Sequence, residues 1–169
     1  MMSKKDGHML SQIKYEFYTD GAASTKTNCG GWGCVVVKDS EIVDTLSGGE
    51  KATTNNRMEL IAVLTALEQI DLYGENSRIF SDSAYVVNCI KDKWYEKWLL
   101  NGWRTSDRSP VKNRDLWEQL LNKLQDLEHQ GIVVEFEKVK GHADNKFNNY
   151  ADVLAVKKRK KYEEGDDDK

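Results

Sequence analysis

The chain has 169 residues, 39% of them hydrophobic and 31% charged, enough to bury a core in one domain without disulfides or a structural metal. It contains no long uncharged apolar run, which excludes a membrane-spanning helix; the first ten residues hold no apolar stretch of secretory-signal length, so a cytoplasmic protein is expected. The net charge of −3 speaks against a nucleic-acid partner only as a sum: five carboxylates and one lysine crowd into residues 163–169, and without that tail the body carries about +1.

In chain order, Ile13–Thr19 mixes β-branched and aromatic residues and predicts a strand. A glycine-rich turn is expected around Cys29–Gly33, then a strand at Trp32–Lys38, a tight turn at Asp39–Ser40 and a third strand at Glu41–Gly49. From Asn56 to Ile70 the apolar residues Met58, Ile61, Leu64, Leu67 and Ile70 repeat with helical period, and Leu60 and Val63 widen the stripe, so this helix is expected to be buried on most sides. Arg78–Ser81 reads as a short buried strand, Ser83–Ile90 and Trp94–Leu100 as helices, and Leu116–Leu127 as an amphipathic helix ending near Gly131. Ile132–Val139 alternates like a half-solvated strand, and a last helix runs from about Asn148 into the basic segment Lys157–Lys161.

The order β-β-β-α-β-α-α-α-β-α implies an α/β protein with a five-stranded mixed sheet and helices on both faces. Residues 1–12 are expected to be a flexible leader, 13–160 the folded domain with a basic and aromatic protrusion at about 91–113, and 161–169 a disordered acidic tail. Cys29, Cys34 and Cys89 are odd in number and lack zinc-like spacing, so they read as small buried residues in a reducing compartment.

Four acids stand at distinctive points. Asp20 follows apolar strand residues, and Asp82 closes the Ile79–Phe80 strand immediately before a helix; carboxylates at such strand ends lie on a sheet's rim, where α/β folds bind ligands. Glu59 lies in an almost wholly apolar helical stretch, where a charge is costly unless paired or metal-bound. Asp152 lies in the last helix. Taken singly, each has an ordinary explanation: Asp82 as a helix cap, Asp20 as a turn residue, Glu59 and Asp152 as solvated helix acids. If they converge, an oxygen-only site selects hard ions, Mg²⁺ or Mn²⁺, and two such ions suit in-line displacement at phosphorus. No phosphate-binding loop, nucleophile elbow or dinucleotide fingerprint points elsewhere.

The motifs resemble those of the type 1 ribonuclease H family. They are Thr19-Asp20-Gly21-Ala22, Thr54-Asn55-Asn56-Arg57-Met58-Glu59-Leu60, Ser81-Asp82-Ser83, Gly102-Trp103-Arg104 with Pro110–Asn113 and Asp115–Trp117, Val139–Ala143, and Asp152 in the fourth-acid position. The resemblance runs in order from about Tyr15 to Val156 and implies a stand-alone, sequence-nonspecific endonuclease that hydrolyses the RNA strand of RNA–DNA hybrids. It implies two Mg²⁺ ions, with Mn²⁺ as a substitute, and products ending in 5′-phosphate and 3′-hydroxyl. Asp20 would bridge both ions, Asp152 would complete the site that activates water, and Glu59 and Asp82 the site at the leaving oxygen. His142 would assist protonation or product release.

For the hybrid, the resemblance points to Thr54, Asn55, Asn56 and Arg57 in the minor groove and on phosphate, where 2′-hydroxyls distinguish RNA. Trp94, Trp98, Trp103 and Arg104 belong to a stretch that interleaves aromatics with cations and can hold a nucleic-acid backbone; packing within a small helical subdomain is an equal reading for the tryptophans. Leu99 and Leu100 stand where bacterial relatives are denser in Lys and Arg, which weakens the expected phosphate grip. A monomer acting on hybrid, without a membrane, is expected. Other polynucleotidyl transfer on the same fold, the ribonuclease H module of a reverse transcriptase, and a non-catalytic hybrid-binding domain remain as alternatives.

Overall fold

The computed structural model describes residues 12–139 and 145–165. Its strands are β1 (Tyr15–Ala23), β2 (Gly30–Lys38), β3 (Glu41–Glu50), β4 (Ser77–Ser81) and β5 (Val134–Lys138). The helices are α1 (Asn55–Tyr73), α2 (Ala84–Lys91), α3 (Tyr95–Asn101), α4 (Arg114–His129) and α5 (Lys146–Glu163). The five-stranded sheet has the order β3-β2-β1-β4-β5, antiparallel from β1 to β3 and parallel from β1 through β4 to β5. This is the mixed α/β architecture that the element order implies, and α5 continues through Lys161, Tyr162 and Glu163, which the charge pattern placed in the tail.

Strand alternation divides the core. Phe17, Cys34, Val36 and Ile79 pack with Leu60, Val63, Leu67 and Ile70 of α1 and Leu116, Trp117 and Leu120 of α4. Their neighbours Tyr18, Val35 and Val37 pack with Ala151 and Leu154 of α5. Successive strand side chains point to opposite faces, so α1 and α4 cover one face and α5 the other. Cys29, Cys34 and Cys89 are buried and unpaired in disulfides.

Two local expectations need correction. β1 does not stop at Thr19 but runs to Ala23, because Asp20–Ala23 pair with Gly30–Gly33 of β2. Residues 30–33 are therefore strand, not turn. Their glycines serve close approach rather than chain reversal: a Cβ on Gly33 would lie 2.6 Å from the Ala151 carbonyl oxygen, and one on Gly31 2.6 Å from the Arg159 amide nitrogen. The reversal between β2 and β3 falls on Asp39 and Ser40, both with positive φ (52° and 67°), as a tight hairpin requires.

Gly21 does the same for the opposite face. A Cβ there would sit 2.6 Å from the Glu59 amide nitrogen and 2.7 Å from the Met58 carbonyl carbon, so α1 rests directly on the β1 backbone. Gly21→Ala must push α1 away from β1. The expected cost is roughly 1–3 kcal/mol of stability from overpacking, read by urea denaturation, with a larger proportional loss of activity because the same contact positions Glu59.

Candidate active site

Register and packing bring the acids together. The parallel pairing Thr19↔Ser81 sets Asp82, the residue after β4, beside Asp20, and the Thr19 hydroxyl donates to the Phe80 carbonyl at 2.9 Å to pin that edge. α1 crosses at Gly21 and delivers Glu59. One carboxylate oxygen from each of Asp20, Glu59 and Asp82 lies within 4.8 Å of the others. Asp152 is exposed on α5, near enough to act on both Asp20 and Asp82.

The ordinary explanations fail for two of these acids. Asp82 does not cap α2: Ser83 does, its hydroxyl accepting from the Val86 amide at 3.2 Å. Glu59 is not a solvated helix acid. It is 6% exposed, and its Oε1 has no hydrogen-bond partner.

The electrostatics follow from this crowding. Burial, then the charges of Asp20 and Asp82, push the Glu59 carboxyl up to about 9. Burial, then Asp82 and Asp152, push Asp20 up to about 8, against a lowering by the Gly21 amide that donates to Oδ1 at 2.9 Å. Asp82 is also raised, mainly by burial and further by Asp152, while Lys138 opposes. An all-oxygen, buried, mutually repelling set with an orphaned acceptor fits a hard divalent cation, which would satisfy Oε1 and offset the repulsion.

The other expected site residues occupy varied positions. Thr54 caps α1, its hydroxyl accepting from the Arg57 amide at 3.2 Å. Asn55 Oδ1 accepts from the Ala23 amide at 2.7 Å, tying the start of α1 to the end of β1, and Asn56 is exposed. The Arg57 guanidinium is held by Glu50 through Nε at 3.2 Å and by both oxygens of Asp115 at 3.3 and 3.1 Å. Neither acid stands out in the sequence as a partner of Arg57, because the contacts join segments 7 and 58 residues apart.

The tryptophans separate by role. Trp103 is 6% exposed, with the Arg114 guanidinium 5.2 Å above its ring. Trp98 packs on Trp103 and edge-on against Trp117, whose indole donates to the Tyr85 hydroxyl at 2.9 Å. Both fasten the protrusion to the core; Trp103 is enclosed there, while Trp98 also lines the groove beside Trp94. Trp94 is 41% exposed and, with Thr54, Asn56, Lys97, Lys112 and Asn113, lines an open groove of about 1180 Å³. Arg104 is exposed, donating from Nη1 to the Arg108 carbonyl at 3.1 Å. His142 lies outside the described residues.

Fold and site together define an α/β protein with a buried acidic cluster beside its central strand, of a composition that suits a hard divalent cation. Comparison with known proteins gives the same direction: the family model described as RNase H matches residues 12–160. A ribonuclease H of Acetivibrio thermocellus is 44% identical over 154 residues, covering 88% of this chain and 96% of that protein. Among solved structures, LC9-RNase H1, described as a type 1 RNase H with the type 2 active-site motif, superposes with a TM-score of 0.72 at 28% identity, covering 88% of this chain and 73% of that one. LC11-RNase H1, solved in complex with an RNA/DNA hybrid, shares the fold at a TM-score of 0.63 and 21% identity, covering 88% and 99%. The chain belongs to the RNase H family and, with it, to the hydrolases that cut RNA.

The raised carboxyls set the pH dependence of the metal-free protein. A carboxyl whose folded pKa lies above its unfolded value stabilises the fold below the unfolded value and loses that contribution as pH rises through the folded one. Metal-free protein is therefore expected to lose stability from about pH 4.5 toward pH 9. Glu59→Gln should remove part of this cost. In EDTA at pH 8 to 9 it is expected to be more stable than wild type by roughly 1–3 kcal/mol, a gain that vanishes near pH 4; thermal melts across that range read it directly.

Proposed function

We propose that this chain is an endonuclease that hydrolyses the RNA strand of RNA–DNA hybrids without sequence specificity, using two divalent cations, Mg²⁺ by preference and Mn²⁺ as a substitute. The observation that carries the metal chemistry is the buried Asp20–Glu59–Asp82 cluster with its orphaned Glu59 oxygen. Asp20, Glu59, Asp82 and Asp152 would hold the cations, Asp20 contributing to both, Asp152 on the side where water attacks, and Glu59 and Asp82 on the side of the leaving 3′ oxygen. Bound there, the cations supply charge stabilisation to the attacking and leaving oxygens of an in-line displacement. The products carry 5′-phosphate and 3′-hydroxyl ends, and His142 assists proton delivery to the leaving side.

The chain's own residues orient the hybrid. Asn55 and Asn56 at the start of α1 meet the minor groove and its 2′-hydroxyls, with Thr54 at an adjacent phosphate. Arg57 keeps about two of its five N–H groups for phosphate, since Glu50 and Asp115 take the others. The groove lined by Trp94 and Lys97, with Arg104 exposed on the same protrusion, receives the DNA strand. Trp98 lines that groove beside Trp94, and Trp103 supports it from behind. No helix among the described residues is long and apolar enough to cross a membrane. The three buried thiols agree with a reducing, cytoplasmic setting, and in this reading the chain acts as a monomer. In this reading the catalytic domain extends through the end of α5 at Glu163, with residues 91–113 as its protrusion.

Labelled hybrid, double-stranded RNA and double-stranded DNA test this. Hybrid alone should be cut, only with Mg²⁺ or Mn²⁺, leaving RNA ends that ligate without further phosphorylation. Asp82→Asn should lower the rate about a hundredfold or more, the scale expected when a group stabilising developing charge is lost. Cleavage that persists in EDTA contradicts the metal site, and preference for duplex DNA contradicts the substrate.

A further inference from the structure

The protrusion is not the most basic element of this chain. Residues 91–113 carry six cations and three acids, whereas the 18 residues of α5 carry six cations and only two acids. The cations of α5 fall at Lys146 and then in an unbroken run, Lys157–Lys161. Favourable interaction with the helix dipole accounts for Lys160 and Lys161 in the last turn. It does not account for a run that begins before that turn on an otherwise acidic chain.

The path of α5 gives the run a place. Ala151 lies over Gly33, the β2 partner of Asp20, and Arg159 reaches Gly31, the partner of Ala22, so the helix passes Asp20 and runs on along β2 toward the Ala23 end of β1. Beyond that point the Tyr162 ring lies against Gly49 at the end of β3, and Glu163 accepts from the Thr27 hydroxyl at 2.9 Å in the β1–β2 connection. The last turns are thus seated on the same rim of the sheet as the carboxylates, on the opposite face from the Trp94 groove. Arg159 is paired with Glu163 at 3.5 Å, but Lys157 and Lys160 are exposed. Along the helix they stand about 7.5 and 12 Å beyond Asp152. At about 3.4 Å of axis per nucleotide, that distance corresponds to phosphates two to four nucleotides from the cut.

We propose that Lys157 and Lys160 form a second phosphate-binding rail, which grips the backbone of the cut strand beside the active site. The proposal rests on the hybrid-cleavage reading above. The rail lies on the cluster's α5 side, as the Trp94 groove lies on its α1 side, and the substrate is held from both. Because the glycine contacts leave α5 no room to shift, the two ammonium groups are presented from a fixed backbone.

The test is hybrid binding against salt, in an Asp20→Asn background that leaves substrate uncut, with a long hybrid of about 30 base pairs. Lys157→Gln with Lys160→Gln should reduce the slope of log K against log salt by about 1.8 for the long hybrid, so that its affinity falls about tenfold less between 50 and 200 mM salt. Lys157→Arg with Lys160→Arg should keep the wild-type slope. In the active enzyme the Gln pair should raise KM on long hybrid and leave kcat as it was. An unchanged slope in the Gln pair, or a slope that the Arg pair fails to keep, overturns the rail. Failure of the wild-type sites to bind hybrid at all would instead overturn the reading on which the rail rests.

Discussion

The acids at the end of β1 repel one another, and most of the molecule can be understood as the means of holding them together regardless. Asp20, Glu59 and Asp82 bring carboxylate oxygens within 4.8 Å, and two of the three residues are buried. Without a counter-charge, the fold gains by keeping protons on Asp20 and Glu59, whose pKa values are raised by burial first and by their neighbours' charges second. Such an arrangement opposes folding. Its persistence in a tightly packed sheet points to cation binding, which reverses the sign of the local field.

The forces that overcome the repulsion are apolar and steric. Leu60, Val63, Leu67 and Ile70 bury one side of α1 against Phe17, Val36 and Ile79, and Gly21 lets that helix descend onto the strand until Glu59 meets Asp20. Gly31 and Gly33 do the same for α5 and so bring Asp152 to the other side of Asp20. The site is therefore a product of three glycine contacts on two faces of one sheet. The Arg57 ion pairs with Glu50 and Asp115 join the ends of β3, α1 and α4 next to it. Being partly exposed, they contribute less to stability than to fixing how the start of α1 is presented.

Much of this was legible in the sequence. Helical periodicity located α1 within a few residues of its ends, because a wide apolar stripe has few other structures available to it. The apolar surroundings of Glu59 marked it as the acid with most to explain, and it is the one with the orphaned oxygen. Convergence was not legible from pattern alone: it depends on the Thr19↔Ser81 register and on glycine packing, which are long-range facts. The glycines of residues 30–33 misled for the same reason. A strand glycine admitting a helix and a turn glycine look alike in one dimension. The tryptophans kept two readings until packing divided them, Trp103 inward, Trp94 toward the groove, and Trp98 shared between core and groove.

Proton release on metal binding tests the central claim most directly. Mg²⁺ can be titrated into the protein at pH 7 to 8 in buffers of different ionisation enthalpy, with the calorimetric heat plotted against that enthalpy. If the buried carboxyls hold protons until a cation displaces them, the slope should show roughly one proton released per protein, or more, and Glu59→Gln should lower it. Tight Mg²⁺ binding with no proton release would mean that the cluster is already ionised without a cation, contradicting the account.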